Sequence, residues 1–353
     1  MTKLKNYLSA SILKATMGVL VVLLSLDAIA ELIDQMKDVA GDYTLLEVLI
    51  YTALKLPASV VDYLALAALI GALVGLGALA SSSELVVMRS AGMSVSQLVW
   101  AVMRAMLVLI LLAALIAEFV VPYASQVAES RRSLALGRSD SASLEGVWNR
   151  EGNEYMHFGA VLPNGKLFGV SRYVFDGQGR LIDTSFIESA IYQGGYWFEQ
   201  NGAGTRFGSD SRPQRYSFTT RRWDTDLSPD LLDILTLDPE RLPIKRLLNY
   251  AQYLGRQSLD AGEYWLAFWH KVLQPLATLS LVMIAISFIL GPLRQVPVGY
   301  RVFVGVLVGL GFQTAQRLLG PSSMIWGFPP YLAVLLPIMV CFVIGIVLIK
   351  RSE

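Results

Sequence analysis

The sequence predicts a polytopic α-helical membrane protein with six transmembrane helices and an inserted all-β jelly-roll domain. Three observations carry this reading. Of 353 residues, 54% are hydrophobic and only 16% charged, with a mean hydropathy of +0.51, whereas soluble domains carry about a quarter charged residues. The apolar residues concentrate in six stretches of the length that crosses a bilayer core, about 20 residues each. These stretches fall as three, a long polar insert, then three more.

The spans are expected at 12–33, 60–80, 95–121, 265–290, 298–319 and 330–349. Lys3 and Lys5 ahead of the first run resemble the start of a signal peptide. The run, however, continues past Leu24 into Asp27 and Glu31 with no small-residue cleavage site, so an uncleaved first span is expected. The domains then read as 1–122 (spans one to three, with a short helix at about 82–92), 123–262 (the β insert and a following amphipathic helix) and 263–353 (spans four to six).

Charge sets the orientation, because short cytoplasmic loops collect Lys and Arg. One side holds Lys3, Lys5, Lys14, Arg89, Arg294, Arg301, Lys350 and Arg351. The other offers Lys37, Lys55 and Arg317 beside Asp34, Asp38, Asp42 and Glu47. Both termini are therefore expected in the cytoplasm and the insert outside, which is the periplasm if the cell is Gram-negative.

The insert reads as β-structure. Runs rich in aromatic and β-branched residues occur at 154–161 and 166–175, with Asn164-Gly165 as the turn between them. Asp176-Gly177 and Gly194-Gly195 mark turns before and after 180–192. Turn signals at such spacing favour a sandwich or jelly roll. Asp238-Pro239 ends it, and Leu247, Leu248, Ala251 and Leu254 form a helical stripe leading to span four.

The stretch between spans two and three is the most informative. Ser81 and Glu84 stand at capping-box spacing, Gly92 suits a helix end, and Ser94 and Gln97 repeat the capping spacing where span three begins. A short interfacial helix bracketed by two caps is what a permease needs to dock on an ATPase; an ordinary amphipathic turn has the same spacing.

Other classes find little support. Cys341 alone forms no internal disulfide, and His157 and His270 are far apart, so no metal site or catalytic residue is expected. The run from Gly159 to Gly165-Lys166 has five intervening residues where a P-loop has four, with Leu167 in place of the magnesium-binding Ser or Thr. ATP binding by this chain, and a nucleic-acid partner, are not expected. A lipid-modifying enzyme would need a nucleophile–base pair or metal cluster in the insert, where His157 is the only histidine.

Ser83-Glu84-Leu85-Val86-Val87-Met88-Arg89-Ser90-Ala91-Gly92 resembles the cytoplasmic coupling helix of the LptF/LptG family of lipopolysaccharide export permeases. Gly291-Pro292-Leu293-Arg294 followed by Val296-Pro297 resembles the loop between spans four and five of its LptG branch, and Trp269-His270-Lys271 to Gln274-Pro275-Leu276 also matches. The resemblance covers essentially the whole chain.

It implies a non-catalytic inner-membrane subunit, without cofactor, of an ATP-binding cassette transporter that extracts lipopolysaccharide. Its partners would be an LptF-like sister subunit, two copies of the ATPase LptB, and the single-span LptC. Glu84 would enter the ATPase groove, with Leu85, Met88 and Arg89 packing around it. Spans one and five would form lateral gates with the sister subunit.

Asp27, Glu31, Asp34 and Asp38 lie on one face of span one. Asp27 and Glu31 suit a cavity, a partner or a solvated helix end; an acidic residue at 31 departs from relatives that carry a cation there to meet lipid phosphates. Lys37, Lys55, Arg131, Arg132, Lys271 and Arg317 are candidates for lipid phosphates, Arg132 and Arg317 foremost, or simply flank helix ends. Gly305 and Gly309, with Phe312, give span five a smooth face that suits sliding or plain packing, as Gly71 and Gly75 do in span two.

Overall fold

The computed structural model describes residues 2–39, 42–136, 147–162, 165–208, 212–225, 227–229, 232, 238–256, 260–291 and 296–352. Asn164 and the Pro292-Leu293-Arg294 loop lie outside the described residues. The chain divides into two compact units.

The first unit comprises Met1–Ala28, Leu56–Val120 and Leu242–Glu353. All six expected spans are helical, as α1 (Thr2–Gln35), α2 (Leu45–Ser81), α4 (Val95–Leu115), α7 (Gly262–Leu290), α8 (Val298–Trp326) and α9 (Pro330–Ser352), and all but α4 run past at least one expected end. Six helices are long and apolar enough to cross a membrane. Two shorter helices, α3 (Glu84–Ser90) and α6 (Ile244–Arg256), belong to the same unit. In α6 the expected stripe is in place, with Leu247, Ala251 and Leu254 buried.

Backbone proximity organises this bundle. Leu8, Ile12, Thr16 and Leu20 form a single buried stripe along the first half of α1. It meets α2 at Gly71 and Gly75, where added Cβ atoms would lie 2.4 Å from Thr16 Cα and 3.2 Å from Ile12 Cα. Without a hydrophobic drive between helices in lipid, such small-residue approaches supply the packing.

Span three holds a difference from the sequence reading. A π-turn at Ile116–Val120 follows α4, and the helix then continues as α5 (Val121–Ala135) into the region read as insert. The cause is Pro122, which has no N–H to donate and whose ring crowds the carbonyl four residues back. A widened turn absorbs the defect without ending the helix. Within it, Glu118 Oε2 accepts the backbone N–H of Ile244 at 3.0 Å, serving an otherwise orphaned donor at the start of α6.

The second unit comprises Ile29–Lys55 and Val121–Arg241. Its six strands, β1 (Val147–Glu151), β2 (Glu154–Leu162), β3 (Lys166–Phe175), β4 (Leu181–Tyr192), β5 (Trp197–Phe207) and β6 (Pro213–Trp223), form one antiparallel sheet in sequence order. The inserted β domain is thus present as expected, and among the described residues its strands run as a meander in one sheet, without jelly-roll crossovers. The turns fall as expected: Gly165 has φ +70°, Gly194 and Gly195 are also left-handed, and Asp176 Oδ1 accepts from the N–H groups of Gln178 and Arg180.

Strict alternation fails in the middle of this sheet. Phe158 and Val161, Leu167 and Val170, and Ile187 and Ala190 all point into one core, although each pair is three residues apart. The cross-strand register skips one residue on each strand along a line through Gly159, Gly169, Glu188 and Asn201. Gly169 (φ +61°) and Asn201 (φ +51°) take left-handed conformations there, so the inward face switches parity across the line. Trp197 and Trp223 close this core, with Trp197 Nε1 donating to Leu227 O at 2.8 Å. Glu199, fully buried, accepts from Arg172 Nη1 at 2.8 Å and Arg221 Nε at 2.6 Å.

Candidate functional site

The short α3 is built to be held from one side. Leu85 (6% exposed) and Met88 sink into the bundle core, while Val86, Val87 (63% exposed), Arg89 and Ser90 face outward. Its end is a complete Schellman motif: Gly92 N donates to Arg89 O at 3.0 Å and Met93 N to Met88 O at 3.1 Å, with Gly92 at φ +90° and Met93 buried.

The start differs from the expected capping box. Ser81 Oγ turns back to Ala78 O, and the left-handed Ser83 (φ 61°) becomes the N-cap without a side-chain bond. Ser82 Oγ instead donates to Glu84 Oε1 at 3.0 Å, and the Tyr7 hydroxyl engages the same carboxylate. Ser94 does cap α4, accepting from Gln97 N at 3.3 Å. The resemblance implied that Leu85 and Met88 pack around Glu84 at a partner's groove; both are anchors to this chain's own core, and the outward surface is Val86, Val87 and Arg89.

In the bundle, Asp27 of span one accepts from Ser59 Oγ at 2.6 Å and from the Tyr63 hydroxyl at 2.8 Å, both on α2. In the second unit, Glu31 accepts from Gln35 Nε2 at 3.0 Å and lies 3.5 Å from Lys55 Nζ. Asp34 and Lys37 pair with each other at 2.8 Å in solvent.

Of the cations named as candidates for lipid phosphates, all but Arg317 are engaged within the chain. Arg132 pairs with Asp38 at 2.5 Å, Arg131 with Glu47 at 2.8 Å, and Lys55 with Glu31 and Glu129. Lys55 and Arg132 also lie over the ring of Tyr51, whose hydroxyl donates to Glu129 at 2.7 Å. Lys271 Nζ donates to Leu242 O at 2.6 Å. Arg317 is exposed, with no ion pair among the described residues. Arg301, assigned to the cytoplasmic loops by charge counting, is 2% exposed and fills the space beside Gly77.

In span five the structure shows the packing alternative. Arg301, Gly305, Gly309 and Phe312 form its buried stripe. A Cβ at Gly305 would lie 2.6 Å from Leu73 Cδ1, and one at Gly309 2.3 Å from Leu66 Cδ1. The glycines therefore serve close packing on α2 of the same chain, and the surface left for a partner or lipid is the opposite stripe of Phe303, Leu307 and Leu310. Among the described residues no group of three His, Cys, Asp or Glu side chains stands together as a metal site, and His157 is buried beside Trp148.

Comparison with known proteins decides the family. Residues 6–351 match the family described as lipopolysaccharide export system permease LptF/LptG. The chain belongs to the LptF/LptG family. It is 35% identical to the lipopolysaccharide export system permease protein LptG of Escherichia coli strain K12, with 99% of this chain and 98% of that protein covered. It is 33% identical to LptG of Haemophilus influenzae strain Rd, with 99% of each chain covered. Six candidate membrane helices around an inserted β domain are thus the architecture of an LptF/LptG permease.

For this LptF/LptG permease, sequence reasoning missed the partners of span one. Tyr51, Lys55, Ser59 and Tyr63 recur every four residues along α2, which is a one-face helical stripe. That stripe was available as the complement of the acidic face on α1.

Proposed function

We propose that the chain is the LptG-type transmembrane subunit of an ATP-binding cassette transporter that extracts lipopolysaccharide from the inner membrane and passes it to the periplasmic bridge. ATP is bound and hydrolysed by a separate LptB-type ATPase present in two copies. An LptF-like sister subunit completes the cavity, LptC receives the lipid, and this chain adds no chemistry of its own. Both termini lie in the cytoplasm of a Gram-negative cell and the β domain in the periplasm.

The observation that carries the reading is α3. Two apolar anchors and a Schellman stop hold these seven residues, two exposed valines are left for a partner, and the carboxylate at the helix start can reach one by exchanging its bonds to Ser82 and Tyr7. In this reading Glu84 and Arg89 meet the ATPase, Leu85 and Met88 transmit its movement into the bundle, and span one with the outward stripe of span five forms the lateral gates. Lys37, Lys55, Arg131 and Arg132 meet lipid phosphates only by exchanging their present carboxylate partners, whereas the exposed Arg317 has none to exchange among the described residues.

Glu84→Arg tests the docking. The variant is co-expressed with the sister subunit and the ATPase, and ATPase co-purification and ATP-driven lipopolysaccharide release are measured. Loss of both is expected; unchanged values for both would refute the docking assignment.

A further inference from the structure

The two halves of α1 are held by different forces. Leu8, Ile12, Thr16 and Leu20 bury one stripe of the lower half, and Gly71 and Gly75 bring α2 almost to backbone contact there. From Val21 to Asp34 no residue of α1 is buried, and Val21, Val22, Leu26, Ile29 and Ile33 all stand exposed. The side-chain hydrogen bonds from this upper stretch to α2 include the two on Asp27, from Ser59 Oγ at 2.6 Å and the Tyr63 hydroxyl at 2.8 Å, and a longer one that Glu31 accepts from Lys55 Nζ at 3.5 Å. Ser25 Oγ bonds only within the helix, to Val21 O.

We propose that Asp27 with Ser59 and Tyr63 forms a releasable latch that sets the position of the upper half of span one, Ser59 and Tyr63 acting as positioning residues for its movement. The inference rests on the reading of span one as a gate helix and deepens it. The reasoning is physical. An apolar stripe such as Leu8–Leu20 has no competitor in a bilayer that matches its packing, so it acts as a fixed hinge. Hydroxyl–carboxylate bonds are directional and short-ranged, and a displacement of one or two ångströms breaks them outright. Water or polar lipid groups reaching the parted helices then solvate the carboxylate and both hydroxyls. Two such bonds at one point, on a stretch of α1 that buries no residue of its own, give a contact that is either made or absent.

The test uses the full chain co-expressed with its sister subunit and ATPase and placed in lipid nanodiscs. Nitroxide labels at Leu26 and Asp62, both exposed, report the separation of α1 and α2 by electron paramagnetic resonance. The parent without ATP is expected to give one narrow distance, and Ser59→Ala with Tyr63→Phe a second, longer population. Ser59→Thr, which keeps the hydroxyl, should restore the narrow distance when Tyr63 is intact. ATPase activity of the double variant should persist while lipopolysaccharide released per ATP falls. A distance distribution in the double variant identical to that of the parent overturns the latch, whatever the release assay reads. Failure of the parent itself to release lipopolysaccharide refutes the export reading instead, and the distance measurement still judges the latch. Should the double variant not assemble, Tyr63→Phe alone takes its place, with broadening expected and an unchanged distribution overturning.

Discussion

A methyl group on Gly71 would lie 2.4 Å from the Cα of Thr16, closer than two carbon atoms can stand. The first two spans of this permease therefore meet backbone to backbone, and no rotamer change relieves an added side chain. Gly71→Ala is expected to push α1 off α2 and destabilise the bundle by about 1–3 kcal/mol, the range for overpacking a fitted interface. Gly18→Ala on α1, where nothing lies within 4 Å, is the control and should cost nothing, or stabilise by up to about 0.5–1 kcal/mol through helix propensity. Thermal unfolding of the purified chain in detergent separates the two.

The anchoring and outward faces of α3 make opposite predictions. Leu85→Ala removes a buried side chain and is expected to cost the fold about 2–5 kcal/mol. Val87→Asp changes an exposed position, where substitutions usually stay within about 0.5 kcal/mol, yet should abolish ATPase co-purification. Equal thermal stability for both variants would refute the division of faces.

Inside the β domain, Glu199 is the buried centre of an ionic triad with Arg172 and Arg221. Glu199→Ala leaves Arg221 without its carboxylate while Arg172 keeps Glu154, and is expected to destabilise this domain by up to about 3–5 kcal/mol. Glu188→Ala, which removes only the exposed acceptor of Asn201 Nδ2, should cost little. Tryptophan fluorescence during denaturant unfolding reports both, since Trp197 and Trp223 sit in the same core.

His157 gives this domain a pH dependence. Burial holds its imidazole below the ordinary histidine value, so the folded state favours the neutral ring. The unfolded state binds the proton more readily, and stability is complete above the unfolded value of about 6.5 and is lost as pH falls through the lower folded value. His157→Gln should flatten the pH dependence of unfolding below about 6.5. An unchanged slope would show that the ring titrates alike in the folded and unfolded states.

How much of this was legible in the sequence differs by element, for physical reasons. Spans announce themselves because hydrocarbon demands long apolar runs, and all six were found. The continuation of span three to Ala135 was hidden by Pro122, which normally stops a helix and here is absorbed by a π-turn. The sheet's strands at 154–162, 166–175 and 181–192 were readable from composition. The switch of its inward face at Gly169 and Asn201 was not, because alternation assumes an unbroken pleat. Gly92 marked the end of α3, but Ser81 competed for its own helix's carbonyl and left the expected capping box unmade. Which helix Gly305 and Gly309 meet is a three-dimensional fact that GxxxG spacing cannot hold, since the same face suits a sister subunit or a neighbour in the chain.

That last ambiguity sets the final prediction, on the outer face of span five. Its buried stripe, Gly305, Gly309 and Phe312, is occupied by Leu66, Leu69 and Leu73 of α2 and by the bundle core. A photo-crosslinker at Phe312 should therefore react within the chain. Phe303, Leu307 and Leu310 are between 49% and 58% exposed on the opposite side of the same helix. In the proposed gate, lipopolysaccharide entering sideways past this span would meet those residues, and so would a sister helix closing it. A probe at Leu307 or Leu310 is expected to capture lipopolysaccharide, LptC or the sister subunit in the assembled transporter. Val343 in span six is similarly exposed, at 52%, but lies outside the proposed gate and should capture none of these. Labelling at Val343 as strong as at Leu307 would show that exposure alone governs capture, and the gate would have to be placed elsewhere. Labelling of the sister subunit from Phe312 but not from Leu307 would show instead that α8 turns its glycine face outward during transport.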